Sequence, residues 1–158
     1  MKRTRRVALL PVGRTGEHVC QDNHVVKSYV EHNVQYVEDL PLDGWVIIDV
    51  YEPCSSTTPW DYYGMCHQRE YTRVLEAAGI TCMRLETRRT NLAPMGTGPG
   101  GMVRFGDAML PHTYKLAVKT EDEANATVAI AAHKAAIAKW LEGPIGDPSN
   151  PMPAACYN

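Results

Sequence analysis

Residues 44–53 (GWVIIDVYEP) constrain the fold more than any other stretch of this chain. They are rich in β-branched and aromatic side chains, and they lie between a turn sequence at 41–44 (PLDG) and a proline, which is the pattern of a β-strand. Apolar residues fill nearly every position from Trp45 to Tyr51, whereas a strand with one face in water alternates. We therefore predict an interior strand, central in its sheet and covered on both faces.

A helix and a second strand are predicted directly after this strand. Thr58 suits the N-cap, Pro59 the first helical position, and Asp61 the acidic position of a capping box. The helix should end at Gly79, because glycine readily adopts the left-handed conformation that follows a helix. Residues 80–86 (ITCMRLE) then predict the next strand. A strand, helix, strand unit is the predicted frame of the fold.

The composition is that of an ordinary folded domain. The chain has 158 residues, of which 44% are hydrophobic and 22% charged, and we expect one α/β domain over 1–142 with a proline-rich tail at 143–158. The expected architecture is an α/β (α+β) sandwich of two or three layers, with a mixed sheet of four or five strands and two or three helices. Neither the tail nor the glycine-rich loop predicted at 87–101 has apolar periodicity, so we expect contacts between subunits to hold both.

The net charge limits the classes of partner that we expect, and the number of cysteines indicates the cellular compartment. A net charge of −2 gives no general reason to expect nucleic acid, and no run approaches the roughly 18 apolar residues of a membrane span, so no membrane partner is expected. Five cysteines, an odd number, without a secretory signal sequence indicate a reducing, cytoplasmic compartment.

Residues 24–39 (HVVKSYVEHNVQYVED) fit two structures. A helical stripe of apolar residues favours a helix, which is the preferred prediction. The five valines and the two acids at the C-terminal end favour two strands joined by a turn at 31–33. Further strands are predicted at 6–12, 102–105 and 112–119.

The last predicted helix, 121–141, is alanine-rich and ends at Gly143. Thr120 and Glu123 have the spacing of a capping box. Because apolar residues occupy most faces of this helix, it should be buried between layers of the domain or between subunits. Trp140, Leu141 and, in the tail, Met152 are the residues expected at such an interface.

The sequence offers only weak signals for catalytic or metal-binding residues. His18, Cys20 and His24 cluster, and they could be joined in space by Cys54, Cys66 or His67, but they lack the spacings of zinc sites. Asp49 and Glu52 are three apart on a strand, which points them to opposite faces. We therefore predict a protein without catalytic residues, metal or cofactor.

An alternative function is a small enzyme or binding protein for an anionic, phosphorylated ligand. Cys54 precedes a predicted helix N-terminus, where the helix dipole lowers the pKa of a thiol. The site of this alternative lies where loops after the strands would converge, and it consists of Arg14, Cys54, Ser55, Arg88 and Arg89.

The order of strand GWVIIDVYEP, helix, strand ITCMRLE, irregular loop and strand HTYKLAVK resembles that of bacteriophage tail-terminator and tail-completion proteins. The resemblance covers residues 44–119 and rests on element order. It implies a structural subunit of a homo-oligomeric ring at the head-to-tail junction of a virion, with other assembly proteins as partners.

Overall fold

The structure is a computed structural model that describes residues 13–20, 24–51, 62–92, 94–97, 103–105 and 113–157. Its two helices pack against one face of an antiparallel sheet. In chain order the elements are β1 (Gly16–Val19), β2 (His24–Glu31), β3 (Val34–Pro41), β4 (Trp45–Tyr51), α1 (Tyr62–Ala77), β5 (Cys82–Asn91), β6 (Pro94–Thr97), β7 (Val103–Phe105), β8 (Thr113–Lys119) and α2 (Glu123–Glu142).

The main sheet has six strands in the order β1-β2-β3-β5-β8-β4, and β6 pairs with β7 separately. This confirms an α+β fold with a strand and helix count close to that predicted. Every strand pair in the described residues is antiparallel, so the predicted mixed sheet is wrong. β4 and β5 both pair with β8, which therefore separates the two strands of the predicted strand, helix, strand unit.

Among the strands that the structure describes, β4 lies at the edge of the sheet, so its predicted central position is wrong. Val46 and Ile48 pack against the core beneath the helices, whereas Val50 is 50% exposed. An apolar run indicates which faces of a strand are covered by other layers. It does not indicate whether a second strand pairs with the outer edge of that strand.

Residues 24–39 form the β2–β3 hairpin, so the preferred helix is wrong and the two-strand alternative is correct. His32 and Asn33 make the two-residue turn, with φ of 50° and 62°, as the twist of a hairpin requires. His24, Val26 and Ser28 are buried in alternation along β2. That period of two is the pattern of a strand.

The predicted C-terminal ends of the helices agree with the structure better than the predicted N-terminal ends do. Gly79 has φ of 75°, and the Ile80 N–H donates to the Leu75 carbonyl at 2.9 Å, which closes α1 as predicted. α2 likewise ends at Gly143. Its start follows a 3-10 turn, Thr120–Asp122, and Asp122 caps α2 without a side-chain hydrogen bond, so the predicted capping box is wrong. The predicted start of α1 lies outside the described residues.

The predicted loop at 87–101 is largely strand where the structure describes it. Residues 87–91 continue β5, and 94–97 form β6. The strands predicted at 102–105 and 112–119 are confirmed as β7 and β8, and the strand predicted at 6–12 falls outside the described residues.

The core lies between the two helices and strands β5, β8 and β4. Gln68 of α1 donates to the carbonyls of Leu85 and Lys115, both at 2.9 Å, and so fixes the helix across β5 and β8. The buried residues of this cluster beneath the helices are Tyr71, Leu75, Ile80, Leu116, Val118, Ala126 and Ile130. Neither described helix is long and apolar enough to cross a membrane.

Candidate functional site

A carboxylate, an imidazole and a thiol meet where α1, α2 and the C-terminal segment come together. Glu70 Oε1 lies 2.9 Å from His133 Nε2 and 2.9 Å from Cys156 Sγ, and it accepts a hydrogen bond from the Cys156 thiol. The three ligand atoms all lie within 4.8 Å of one another. We call Glu70, His133 and Cys156 the Glu70 cluster.

Three separate elements position this cluster. His133 follows Ala126 and Ile130 on the buried stripe of α2, and its side chain is 6% exposed. Cys156 lies in a 3-10 turn of the C-terminal segment, Ala154–Cys156. The Arg73 Nε–H of α1 donates to the Ala155 carbonyl at 2.8 Å, which holds that turn against the helix. The cluster is therefore part of the contact between the C-terminal segment and its own domain.

The thiol of the cluster is not activated as a nucleophile. Burial, together with the Glu70 carboxylate, raises the pKa of Cys156 to about 11. Because the thiolate is the nucleophilic form of cysteine, Cys156 is protonated and unreactive near neutral pH. This chemistry does not support covalent catalysis by Cys156.

A second polar pair borders the cluster. A shift in the β4–β8 register between Ile47 and Asp49 turns Asp49 toward the helices, where its Oδ2 lies 2.8 Å from His67 Nε2. The rings of Tyr51 and Tyr71 contact the His67 ring at centroid distances of 4.8 and 4.2 Å. Burial, followed by the Asp49 charge, raises the pKa of Tyr71. His67 therefore pairs with Asp49 and is not a member of the Glu70 cluster.

Tyr71 connects the two groups. Its ring packs edge-on against the His133 ring, with the two ring centroids 5.7 Å apart. The helical side of the sheet thus carries a continuous line of polar and aromatic side chains from the edge strand β4 to the C-terminal segment.

The structure does not gather the described residues of the anion site proposed from sequence. Arg14 precedes β1, while Arg88 and Arg89 lie on β5, and β2 and β3 separate these strands. Arg88 pairs with Glu86 at 3.6 Å, and Arg89 donates to Thr113 at 3.3 Å. Because neighbouring strands are antiparallel, the sheet has no common carboxyl edge where such loops converge. The other two members, Cys54 and Ser55, lie outside the described residues.

The side chains of His18, Cys20 and His24, which cluster in the sequence, do not share one site. Cys20 Sγ lies 3.7 Å from His18 Nε2. His24 is instead buried with Asp39, whose Oδ1 is 3.5 Å from its Nε2. The Glu70 cluster was missed in the sequence because Glu70 is 63 residues from His133 and 86 from Cys156, separations that form no local motif.

The predicted interface residues lie around the end of α2. Leu141 is 61% exposed, while Trp140 and Met152 are half-buried and line a cleft of about 400 Å³ with prolines of the tail. Asn150 donates to the Trp140 carbonyl at 3.0 Å. The tail is therefore held by its own domain, and the prediction that contacts between subunits alone hold it is wrong.

The side of α2 that faces away from the core is exposed, and it is apolar as far as Ala138, beyond which Lys139 and Glu142 carry charge. Only Ala126, Ile130 and His133 of this helix are buried. On the opposite side, at helical spacing, lie five exposed residues without charge, which we call the outward α2 surface: Ala124, Val128, Ala131, Ala135 and Ala138.

Comparisons with protein-family models, with curated proteins and with solved structures find no match to this chain. Its functional residues are accordingly identified by their geometry and chemistry.

Proposed function

We propose that this chain is a non-catalytic structural subunit of a homo-oligomeric assembly, and that the outward α2 surface contacts a second copy of the chain. One observation carries the proposal: α2 is apolar on most of its circumference, yet only three of its 20 residues are buried in the domain. A helix of this kind is ordinarily enclosed on all sides, whereas a surface helix carries polar residues on its outer face.

The chemistry of the outward α2 surface favours another helix as its occupant. Val128 is 68% exposed, and the remaining members of the surface are alanines. Small side chains allow two helices to approach within about 8 Å, the short end of the usual range. A uniform surface of this kind is also complementary to itself, which is what a two-fold interface between identical subunits requires.

The resemblance to bacteriophage tail-terminator and tail-completion proteins suggests one type of assembly. A ring in the neck or tail of a virion is built from identical subunits joined head to tail, so it would use a further surface besides the two-fold α2 contact, and its partners are other assembly proteins. The order of elements over residues 44–119 supports this more specific proposal, and the exposed helix supports the general one.

A pair of matched variants tests the assembly. Val128 on α2 and Val19 on β1 have nearly the same exposure, 68% and 66%, so Val128→Lys and Val19→Lys make the same change at two surfaces. Lysine favours a helix more than valine does, so Val128→Lys should leave the domain folded. We expect it to lower the solution mass, measured by sedimentation, toward that of a single chain, while Val19→Lys retains the oligomer.

Two results would count against the proposed surface. If both variants keep the wild-type mass, α2 is not the interface. If Val19→Lys dissociates the oligomer and Val128→Lys does not, the interface lies at β1. Circular dichroism of each variant would show that the domain is still folded.

A further inference from the structure

We infer that the Glu70 cluster is a binding site for a divalent cation of the zinc class, held by Glu70 Oε1, His133 Nε2 and Cys156 Sγ. Thiolate and imidazole ligands favour zinc over magnesium or calcium, and a carboxylate completes a common set of zinc ligands. The site goes beyond the proposed assembly, because it uses the side of α2 that faces the domain.

The distances in the cluster suit such an ion after a small adjustment. Tetrahedral zinc with ordinary bond lengths holds its nitrogen, oxygen and sulfur ligands about 3.4 to 3.6 Å apart. Glu70 Oε1 now lies 2.9 Å from both His133 Nε2 and Cys156 Sγ. An ion between them would therefore move each donor by less than about 1 Å.

The backbone around the cluster allows that adjustment. Glu70 and His133 lie within long helices, so their positions are fixed by packing. Cys156 lies in a single 3-10 turn, which can shift without disturbing the core. Binding would tie the C-terminal segment to α1 and α2 through one ion.

The charges balance when the ion binds. Cys156 would lose its thiol proton to solvent, and His133 would carry its proton on Nδ1 so that Nε2 can coordinate. The two negative ligands then neutralise a divalent cation, which lowers the cost of placing it beside the buried His133 ring. A tetrahedral ion would take its fourth ligand from water.

A cobalt titration of the full-length chain, purified in chelator and dialysed, tests the site. We expect one equivalent of Co²⁺ to bind, to give thiolate-to-cobalt charge-transfer absorption in the near ultraviolet, and to be displaced by one equivalent of Zn²⁺. Cys156→Ser should abolish that absorption. The matched control is Cys20→Ser, since Cys20 also lies beside a histidine, His18, and this variant should retain the absorption.

A second pair of variants covers the case in which Cys156→Ser does not fold. Glu70→Gln keeps the size of the side chain and a hydrogen-bond acceptor, and Glu76→Gln makes the same change at an exposed position of α1. Loss of a ligand should weaken Zn²⁺ binding at least about tenfold, the effect known for groups that only support a ligand. Glu76→Gln should bind as the wild type does.

The inference is overturned if the chain binds no stoichiometric Co²⁺, if the absorption is lost with Cys20→Ser and kept with Cys156→Ser, or if Glu70→Gln binds Zn²⁺ as tightly as Glu76→Gln. None of these results depends on whether the chain forms an oligomer.

Discussion

The two halves of the six-stranded sheet are stabilised in different ways. Beneath the helices, strands β5, β8 and β4 contribute to an apolar core that includes Leu116 and Val118, both 0% exposed. In β2 and β3 only one hydrophobic residue, Val26, is buried. The other buried side chains of these two strands are polar: His24, Ser28, Gln35 and Asp39.

The difference lies in how each half fixes its structure. The helical half depends on the amount of apolar surface removed from water, so the loss on truncating a side chain grows with the apolar volume that is removed. The β2–β3 half depends on individual hydrogen bonds, such as Gln35 Nε2 to Ser28 Oγ at 2.9 Å, and a buried polar group is costly once its partner is removed. A shift of one residue in the hairpin would turn these groups to the opposite face, so they also fix its register.

The largest expected effect is in the helical half. Leu116→Ala should lower the free energy of unfolding by about 2–5 kcal/mol, because it removes apolar contacts and leaves a cavity in a fully buried site. Urea denaturation gives this value. The matched change Val50→Ala on the paired edge strand, where the side chain is 50% exposed, should cost less than about 1 kcal/mol. Equal losses would mean that the core does not lie beneath the helices.

A smaller loss is expected in the polar half. Asp39 Oδ2 accepts the Glu86 N–H at 3.1 Å, and its other oxygen faces His24. Asp39→Ala should therefore lower the free energy of unfolding by about 1–3 kcal/mol. Asp43→Ala, in an exposed turn, is the control and should have little effect in the same urea denaturation. A neutral Asp39→Ala would show that the buried polar groups are not stabilising.

The smallest effect concerns Ser28, whose hydroxyl donates to the Arg14 carbonyl at 3.0 Å and accepts from Gln35. Ser28→Ala should cost about 1 kcal/mol. In a double-mutant cycle with Gln35→Ala, the two losses should not add, because both variants break the same hydrogen bond. Additive losses would mean that the two side chains act independently.

Local sequence signals predicted much of the fold. Gly79 and Gly143 ended helices as expected, and the strand at β8 was correct within one residue. The β2–β3 hairpin was missed because its valines satisfy a helical stripe and a strand alternation equally well. Pairing with other strands favours the hairpin, because β2 pairs with β1 and β3 with β5, and these are tertiary contacts that the segment alone does not show.

Long-range arrangement could not be predicted in the same way. Strand β8 inserts between β4 and β5, and this leaves β4 at the edge of the described sheet although apolar residues fill nearly all of its positions. The Glu70 cluster depends on two helices and the C-terminal segment meeting, so no spacing in the sequence indicates it. The exposed alanines of α2 could be predicted in part. The sequence shows that most faces of the helix are apolar, but it does not show which of them the domain itself covers.

The solution mass of the wild-type chain, measured by light scattering over a range of protein concentrations, tests the central claim most directly. If α2 is covered by a second copy, the mass should be at least twice that of the 17.5 kDa chain at micromolar concentrations and above. A mass of one chain throughout that range, with the domain folded by circular dichroism, would contradict the proposed assembly.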